Sequence, residues 1–271
     1  MVSSLMSGRR GLVMGVANDH SIAWGIAERL HAHGAELAFT YQGEAFGKRV
    51  KPLAEELGSK IVLPCDVEDP ATVESVFAAL EKSWGKLDFV VHAIAFSDKN
   101  ELKGKYADTT RENFLRTMVI SCFSFTEIAK RALPMMNEGG SLLTLTYGGS
   151  ARVVPNYNVM GVAKAALESS VRYLAADFGA QGVRVNALSA GPMRTLAGAG
   201  IGEARVMFNF QKRHSPLRRS VTLQEVGDAA VYLLSSLSGG VTGEVHHVDS
   251  GYNIVAMPRP EDLRPDNDEG E

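Results

Sequence analysis

The feature that most constrains the fold of this chain is a regular alternation of short apolar runs with longer stretches of helical periodicity. Residues 87–95, LDFVVHAIA, are apolar at nearly every position, which is typical of a strand that is covered on both faces. Strands of this kind belong to parallel sheets, and parallel neighbours joined through a helix require a right-handed crossover. The sequence therefore predicts a doubly wound α/β sheet of about seven strands with helices on both faces.

The expected elements follow one another along a single Rossmann-type domain, without an internal repeat. Strands are predicted at residues 11–16, 36–41, 60–65, 87–95, 141–146, 183–188 and 244–248. Helices are predicted at residues 22–33, 44–57, 70–84, 110–133, 157–180 and 223–236. A chain of 271 residues suits one such domain, which we expect to cover residues 1–257.

Two segments depart from this pattern. Residues 195–215 begin with several glycines and continue with apolar anchors that include Met207 and Phe208, an order that is typical of a mobile flap over an apolar site. An ordinary surface helix is the alternative for this segment. Residues 258–271 are rich in proline and acid and nearly free of apolar side chains, which predicts a disordered tail.

Composition limits the partners and the cellular compartment. A formal net charge of −3 at pH 7 gives no reason to expect nucleic acid or an anionic membrane as a partner. The two cysteines, Cys65 and Cys122, lie far apart without a Cys-x-x-Cys motif, so neither a disulfide framework nor a metal site is indicated. No apolar run reaches membrane-spanning length, and the first residues resemble no secretion signal. We therefore expect a cytoplasmic protein.

The first β-α turn carries a candidate dinucleotide-binding loop. It starts at Gly15, directly after the first predicted strand, and opens a helix. Backbone N–H groups at such a helix start can bind a pyrophosphate. The spacing departs from Gly-x-Gly-x-x-Gly, because Ser21 occupies a position where glycine is usual, and Ser21 has a plain helix N-cap as its alternative role.

Further cofactor contacts are predicted where later strands end. Gln42 follows the second strand, where NAD-binding folds commonly place an acid that binds the adenosine ribose. Gln42 can bind the same hydroxyls and offers no fixed positive charge to a 2′-phosphate, which favours NADH over NADPH. Asp66 is suited to accept from the adenine amino group while Val67 packs on the ring, although a turn role for Asp66 is equally open. His92 is interpreted as a packed core histidine rather than an acid catalyst.

The stretch between Tyr147 and Lys164 carries the candidate chemistry. Tyr157 and Lys164 are separated by seven residues, or about 700° of helix, so they share one face with Met160 between them. Both side chains can therefore reach one bound cofactor and its substrate. Tyr147 ends the fifth predicted strand and faces the same crevice. The alternative is that both tyrosines are packing residues with solvated hydroxyls.

Taken together, these motifs resemble one enzyme family. The block PNYNVMGVAKA at residues 155–165 combines in order with GVANDHSIAWGI at 15–26, ELAFTYQ at 36–42, SAGPMRTLA at 189–197 and GEVHHVDSG at 243–251. The set is similar to the bacterial NADH-dependent enoyl-[acyl-carrier-protein] reductases, divergent members of the short-chain dehydrogenase/reductase superfamily. The resemblance implies reduction of the trans-2 double bond of enoyl thioesters on acyl carrier protein by NADH, the last step of the fatty-acid elongation cycle. It also implies a homotetramer.

The resemblance also implies roles for individual residues. Tyr157 is expected to hydrogen-bond the thioester oxygen as it becomes an enolate, Lys164 to bind the nicotinamide ribose, and Tyr147 to support them. Positions that match cofactor contacts are Gly15, Ser21, Ile22, Gln42, Asp66, Val67, Ile94, Lys164, Met193, Arg194, Thr195, Leu196 and Ala197. Positions expected to contact the substrate are Ser97, Tyr147, Tyr157, Met160, Met207 and Phe208. Ser97 stands where the family has an alanine, which makes that contact a departure from the pattern.

Two other activities are weighed against this one. A dehydrogenase that acts on ketones or alcohols requires a Tyr-x-x-x-Lys pair, and Met160 occupies the tyrosine position of that pair. A non-catalytic dinucleotide-binding regulator would bind NADH without turnover, and the intact tyrosine–lysine block argues against it. Reduction of an enoyl thioester develops charge on an oxygen further along the substrate, which a tyrosine displaced by about one helical turn can reach.

Overall fold

The sheet has the topology that the sequence predicts. The computed structural model describes residues 4–193 and 204–263, and in this part of the chain seven parallel strands form one sheet in the order β3-β2-β1-β4-β5-β6-β7. The strands are β1 Arg10–Met14, β2 Glu36–Tyr41, β3 Ile61–Pro64, β4 Leu87–His92, β5 Met136–Thr146, β6 Arg184–Ala190 and β7 Val245–Val248. The strand order reverses between β1 and β4, which creates a crevice at the carboxyl edge where such sheets bind ligands.

Helices cover both faces of the sheet. In the described residues they are α1 Ile22–Ala32, α2 Gly43–Glu56, α3 Pro70–Trp84, α4 Arg111–Met118, α5 Ser124–Ala132, α6 Asn158–Gly179, α7 Ala204–His214 and α8 Leu223–Leu234. Alternate residues of a strand point to opposite faces, so that Leu12 and Met14 of β1 enter one core and Val13 enters the other. β4 is buried at every position, which confirms the prediction of a strand covered on both faces.

Three departures from the predicted elements are larger than the shifts of one or two residues seen at other boundaries. β4 ends at His92 rather than continuing to residue 95, because the chain then leaves the sheet and the backbone of Phe96 exchanges hydrogen bonds with the Ser121 hydroxyl, both at 2.9 Å. The helix predicted at 110–133 is interrupted by a π-turn, Val119–Phe123, and Ser121 lies inside that turn. β5 begins at Met136, five residues before the predicted start. The first two departures are connected, since one serine holds the loop after β4.

The two unusual segments are described only in part. Residues 194–203 lie outside the described residues, and α7 forms the remainder of the predicted flap. The tail predicted at residues 258–271 includes a 3-10 turn, Pro260–Leu263, in which Asp262 accepts a hydrogen bond from Arg218 at 2.9 Å. Residues 264–271 lie outside the described residues. Within the described ranges no helix is both long and apolar enough to cross a membrane.

Candidate active site

A cavity opens at the carboxyl edge of the sheet, beside the point where the strand order reverses. Its volume is about 480 Å³, and it lies against the ends of β1, β4, β5 and β6 and the start of α6. It brings together most of the residues that the sequence singled out. These are Gly15, Ser21, Ile22, Ile94, Ser97, Tyr147, Tyr157, Met160, Lys164, Met193, Met207 and Phe208.

Three of the predicted cofactor contacts that the structure describes, Gln42, Asp66 and Val67, do not line this cavity. Gln42 and Asp66 follow β2 and β3, and the Gln42 Nε2 donates to the Asp66 Oδ2 at 3.0 Å. Asp66 also accepts from the backbone N–H of Glu68 at 2.9 Å, so it has the turn role that the sequence left open. Val67 is buried in the core between the sheet and its helices. Arg194, Thr195, Leu196 and Ala197 lie outside the described residues.

The loop after β1 forms a close cradle at the start of α1. Gly15 has a φ of +96°, and a Cβ at this position would lie 2.1 Å from the carbonyl oxygen of Ala93, so only glycine fits. The Ser21 hydroxyl donates to the Asn18 carbonyl at 2.7 Å and makes no side-chain cap to α1. Ser21, Ile22 and Ala23 line the cavity, so the N-terminus of α1 faces it, as binding of a pyrophosphate requires. These residues fit a dinucleotide.

The two tyrosines form one packed pair in the cavity. Their ring centroids lie 5.1 Å apart at an interplanar angle of 78°, an edge-to-face arrangement that favours aromatic contact. Burial raises the pKa of the Tyr147 hydroxyl to about 12, helped by nearby Tyr252 and Asp249. Burial also raises the pKa of the Tyr157 hydroxyl well above its ordinary value, with Tyr147 and Glu168 acting in the same direction. Both phenols are therefore neutral hydrogen-bond donors at physiological pH.

A constrained turn holds Tyr157 in place at the start of α6. The two neighbouring asparagines, Asn156 and Asn158, have φ angles of +62° and +40°, a region that is costly for residues other than glycine. The Asn158 Nδ2 donates to the Glu101 carbonyl at 3.2 Å. A Cβ on Gly149 would lie 2.4 Å from the Tyr157 ring, so the glycine allows the preceding turn to pack directly over that ring. The ring is thus fixed from two sides.

Lys164 is a buried cation on α6, seven residues after Tyr157. Its Nζ donates to the Leu145 carbonyl at 2.8 Å, and only 6% of the residue is exposed. Burial lowers the pKa of its ammonium to about 8, while Cys122 and Glu168 act in the opposite direction. Met160 lies between Tyr157 and Lys164 in the sequence and lines the same cavity, and its sulfur is 3.7 Å from the Ser121 hydroxyl.

His92 is a core residue, as the sequence interpretation proposed. It is fully buried, and its two ring nitrogens lie 3.1 Å from the Thr144 hydroxyl and 2.9 Å from the Ser124 hydroxyl. Burial, followed by the charge of Lys164, lowers the pKa of the imidazole to about 3. The ring is therefore neutral and contributes hydrogen bonds rather than acid catalysis.

Several cavity residues were not predicted as site residues. The loop after β4 contributes Phe96, Lys99 and Leu102, and β5 contributes Thr146. Leu102 is an apolar residue in an otherwise polar stretch, which was the signal available in the sequence. Within the same loop, Ser97 accepts a hydrogen bond from the Thr117 hydroxyl at 2.9 Å, so its side chain is held against α4.

The fold and the cavity define a class of protein. A doubly wound parallel sheet, a glycine cradle at the first helix start, and a tyrosine and a lysine that line one cavity at α6 are the features of a dinucleotide-dependent reductase of the short-chain dehydrogenase/reductase type. The family profile described as "Enoyl-(Acyl carrier protein) reductase" matches residues 15–253. The chain belongs to the enoyl-[acyl-carrier-protein] reductase family.

Individual relatives agree with this assignment. The chain is 72% identical over 263 residues to "Enoyl-[acyl-carrier-protein] reductase [NADH] 2" of Rhizobium meliloti, covering 97% of this chain and 98% of the relative. The crystal structure of FabI from Candidatus Liberibacter asiaticus superposes with a TM-score of 0.93 at 60% identity, covering 96% of this chain and all of that one (100%). The reductase from Anaplasma phagocytophilum in complex with NAD gives a TM-score of 0.92 at 59% identity, covering 95% and 98%. The resemblance and the fold predicted from the sequence are confirmed.

Proposed function

We propose that this chain reduces the trans-2 double bond of enoyl thioesters carried on acyl carrier protein, with NADH as the reductant, in the last step of the fatty-acid elongation cycle. The observation that carries the proposal is the arrangement on α6. Tyr157, Met160 and Lys164 line one cavity. The Tyr157 hydroxyl therefore comes from a position three residues before the one that carries the tyrosine in ketone reductases, which is occupied here by Met160. Family membership and the NADH-dependent activity named for the relatives support it.

The position of Tyr157 fits the place where charge develops. NADH supplies a hydride to the β-carbon, and negative charge then grows on the thioester oxygen, further along the substrate. The buried, neutral hydroxyl of Tyr157 donates a hydrogen bond to that oxygen. One donor aimed at developing charge typically contributes about 2.7–4 kcal/mol to lowering the barrier. Tyr147 packs against the ring of Tyr157 and limits its rotation.

The cofactor would be held by residues that follow three neighbouring strands, β1, β2 and β3, and by one residue of α6. Lys164 binds the nicotinamide ribose, the Gly15 loop and Ser21 bind the pyrophosphate, and Gln42 with Asp66 binds the adenosine. The Asp66 carboxylate beside Gln42 disfavours a 2′-phosphate by charge repulsion, which is why NADPH is the less favoured cofactor. Ile22, Ile94, Met193 and the segment 194–197 complete the predicted contacts.

The acyl chain would lie among the apolar side chains of the cavity. Met160, Met207 and Phe208 line it, and Ser97 stands at the loop after β4. We propose that residues 195–215 act as the substrate flap, since α7 brings Met207 and Phe208 to the cavity. Closing apolar anchors over the thioester would exclude water and strengthen the hydrogen bond from Tyr157.

An assay of substrate classes tests the proposed reaction. The chain is expected to oxidise NADH in the presence of a trans-2-enoyl thioester of acyl carrier protein or coenzyme A, measured by the fall in NADH absorbance. A β-ketoacyl thioester and a simple ketone serve as matched controls and are expected to give no turnover. Turnover of the ketone alone would establish the dehydrogenase alternative, and NADH binding without any turnover would establish the regulator alternative.

We also propose a homotetramer of this chain in the cytoplasm. An apolar stripe is exposed on α4 and the π-turn, where Leu115, Val119 and Phe123 are 57%, 41% and 56% exposed. Their four-residue spacing keeps them on one side of the helical run, and Tyr173 is exposed on the neighbouring α6. Exposed apolar stripes on adjacent long helices are suited to pairing with a second copy.

Sedimentation equilibrium tests the assembly. The unmodified chain is expected to have the mass of four chains, and the double variant Leu115→Lys/Phe123→Lys is expected to have a smaller mass because its charges disrupt an apolar interface. Val153→Lys is the control, since Val153 is exposed in a loop outside the helical run that carries the stripe. A double variant that keeps the mass of the unmodified chain would place the interface elsewhere.

A further inference from the structure

Two consecutive residues at the end of β5 bind two residues that are one turn apart on α6. The Leu145 carbonyl accepts from the Lys164 Nζ at 2.8 Å. The hydroxyl of the next residue, Thr146, donates to the Glu168 Oε1 at 2.5 Å. Tyr147 follows directly on the strand. These two bonds fix the register of α6 against β5, and hence the position of Lys164 relative to Tyr147.

The bond between Thr146 and Glu168 is a short hydrogen bond from a hydroxyl to a carboxylate oxygen. A hydrogen bond from a hydroxyl to a carboxylate oxygen is stronger than one to a neutral oxygen. Thr146 is only 5% exposed and lines the cavity, so little water competes for the acid. Glu168 itself is half-buried. The carboxylate is therefore anchored at one of its oxygens.

The surroundings of Lys164 contain one negative charge among several neutral groups. Burial lowers the pKa of His92 and raises the pKa values of Tyr157 and Cys122, so that all three are neutral at physiological pH. Of the groups that act on the ammonium of Lys164, Cys122 and then Glu168 favour the protonated form. The Cys122 thiol is uncharged at neutral pH, which leaves the Glu168 carboxylate as the negative charge. Without this charge, burial alone would favour loss of the proton.

We propose that Glu168, bound to Thr146, is a positioning residue that holds Lys164 in register with β5 and places a negative charge one helical turn from its ammonium. The side chain acts through Lys164 and Thr146 and does not contact the reacting atoms. This inference rests on the proposed function, in which Lys164 binds the nicotinamide ribose.

Substitutions can separate the charge of Glu168 from its hydrogen bond. Glu168→Gln keeps an acceptor for the Thr146 hydroxyl and removes the charge. Thr146→Val removes the hydroxyl and keeps the shape, whereas Thr146→Ser keeps the hydroxyl. Asp177→Asn is the matched charge control, because Asp177 is an exposed acid on the same helix.

The readout is the pH profile of kcat/KM for NADH with a trans-2-enoyl thioester of coenzyme A, from neutral to alkaline pH. For Glu168→Gln, the alkaline fall in activity is expected to move to lower pH by about one unit, since a positive group loses its negative neighbour. Thr146→Val is expected to lower kcat/KM about tenfold at neutral pH, and Thr146→Ser to recover most of that loss. Asp177→Asn is expected to give the unmodified profile.

Two results would overturn the inference. One is a Glu168→Gln profile that superimposes on that of the unmodified chain, and the other is a Thr146→Val activity equal to that of Thr146→Ser. Thermal unfolding of each variant separates loss of fold from loss of positioning. Glu168→Gln keeps the size of the side chain, so its pH profile still tests the inference if Thr146→Val does not fold. Turnover by the unmodified chain in the same assay tests the proposed function independently.

Discussion

Replacing Tyr157 by phenylalanine is expected to lower kcat for a trans-2-enoyl thioester by about two to three decades, the effect of removing one donor aimed at developing charge. The substitution keeps the aromatic ring that packs on Tyr147 at 5.1 Å and removes only the hydroxyl. The affinity for NADH is therefore expected to change much less than kcat, because the hydroxyl acts mainly in the transition state. Steady-state kinetics and fluorescence titration with NADH measure the two quantities.

Two further tyrosine variants serve as controls for this result. Tyr147→Phe tests the supporting role in the same cavity and is expected to have a smaller effect on kcat. Tyr173→Phe removes a hydroxyl from a ring that is 73% exposed on α6 and is expected to leave the kinetics unchanged. Full activity of Tyr157→Phe on enoyl thioesters, together with loss of activity in Tyr147→Phe, would transfer the donor role to Tyr147.

Replacing Lys164 by alanine is expected to weaken NADH binding by about one to two decades, because hydrogen bonds from a charged group contribute about 1.5–3 kcal/mol. The fall in kcat at saturating NADH is expected to be smaller than the rise in the dissociation constant. Lys164→Met is the control of similar length, since it fills the buried space without a donor. If both variants bound NADH as tightly as the unmodified chain, another group would have to hold the ribose.

The same lysine gives the unmodified chain a pH dependence that the variants lack. Burial lowers the pKa of the Lys164 ammonium to about 8, so the charged form is present below this pH and is lost as pH rises through it. NADH binding by the unmodified chain is therefore expected to weaken above about pH 8. Lys164→Met is expected to bind weakly at all these pH values, without that transition.

Much of the framework followed from local patterns in the sequence. The apolar run at residues 87–95 indicated a parallel sheet covered on both faces, and the order of elements gave the doubly wound topology that the structure has. The seven-residue spacing of Tyr157 and Lys164 predicted that both reach one crevice, and both side chains line the cavity. The predicted common helix face does not hold, because α6 begins at Asn158, whose φ is +40°, and Tyr157 precedes the helix. These features depend on period and spacing, which the chain carries within single elements.

The features that were not predicted depend on contacts between distant segments. β4 ends early and the helix after it contains a π-turn because Ser121 binds the backbone of Phe96, 25 residues away. No local pattern specifies that contact. The Thr146–Glu168 bond joins residues 22 positions apart and became visible only when α6 was placed against β5. Gln42 and Asp66 were predicted as separate cofactor contacts, yet they bind each other, since neighbouring strand ends meet at one edge.

The central claim is that the Tyr157 hydroxyl donates a hydrogen bond to the thioester oxygen, which lies away from the β-carbon that receives the hydride. A crystal structure of this chain with NAD and an unreactive enoyl thioester analogue measures the relevant distance directly. We expect the Tyr157 Oη within hydrogen-bonding reach of the thioester carbonyl oxygen, about 2.5–3.0 Å, with Lys164 on the ribose. A Tyr157 ring turned away from the cavity, with a different donor on that oxygen, would contradict the account.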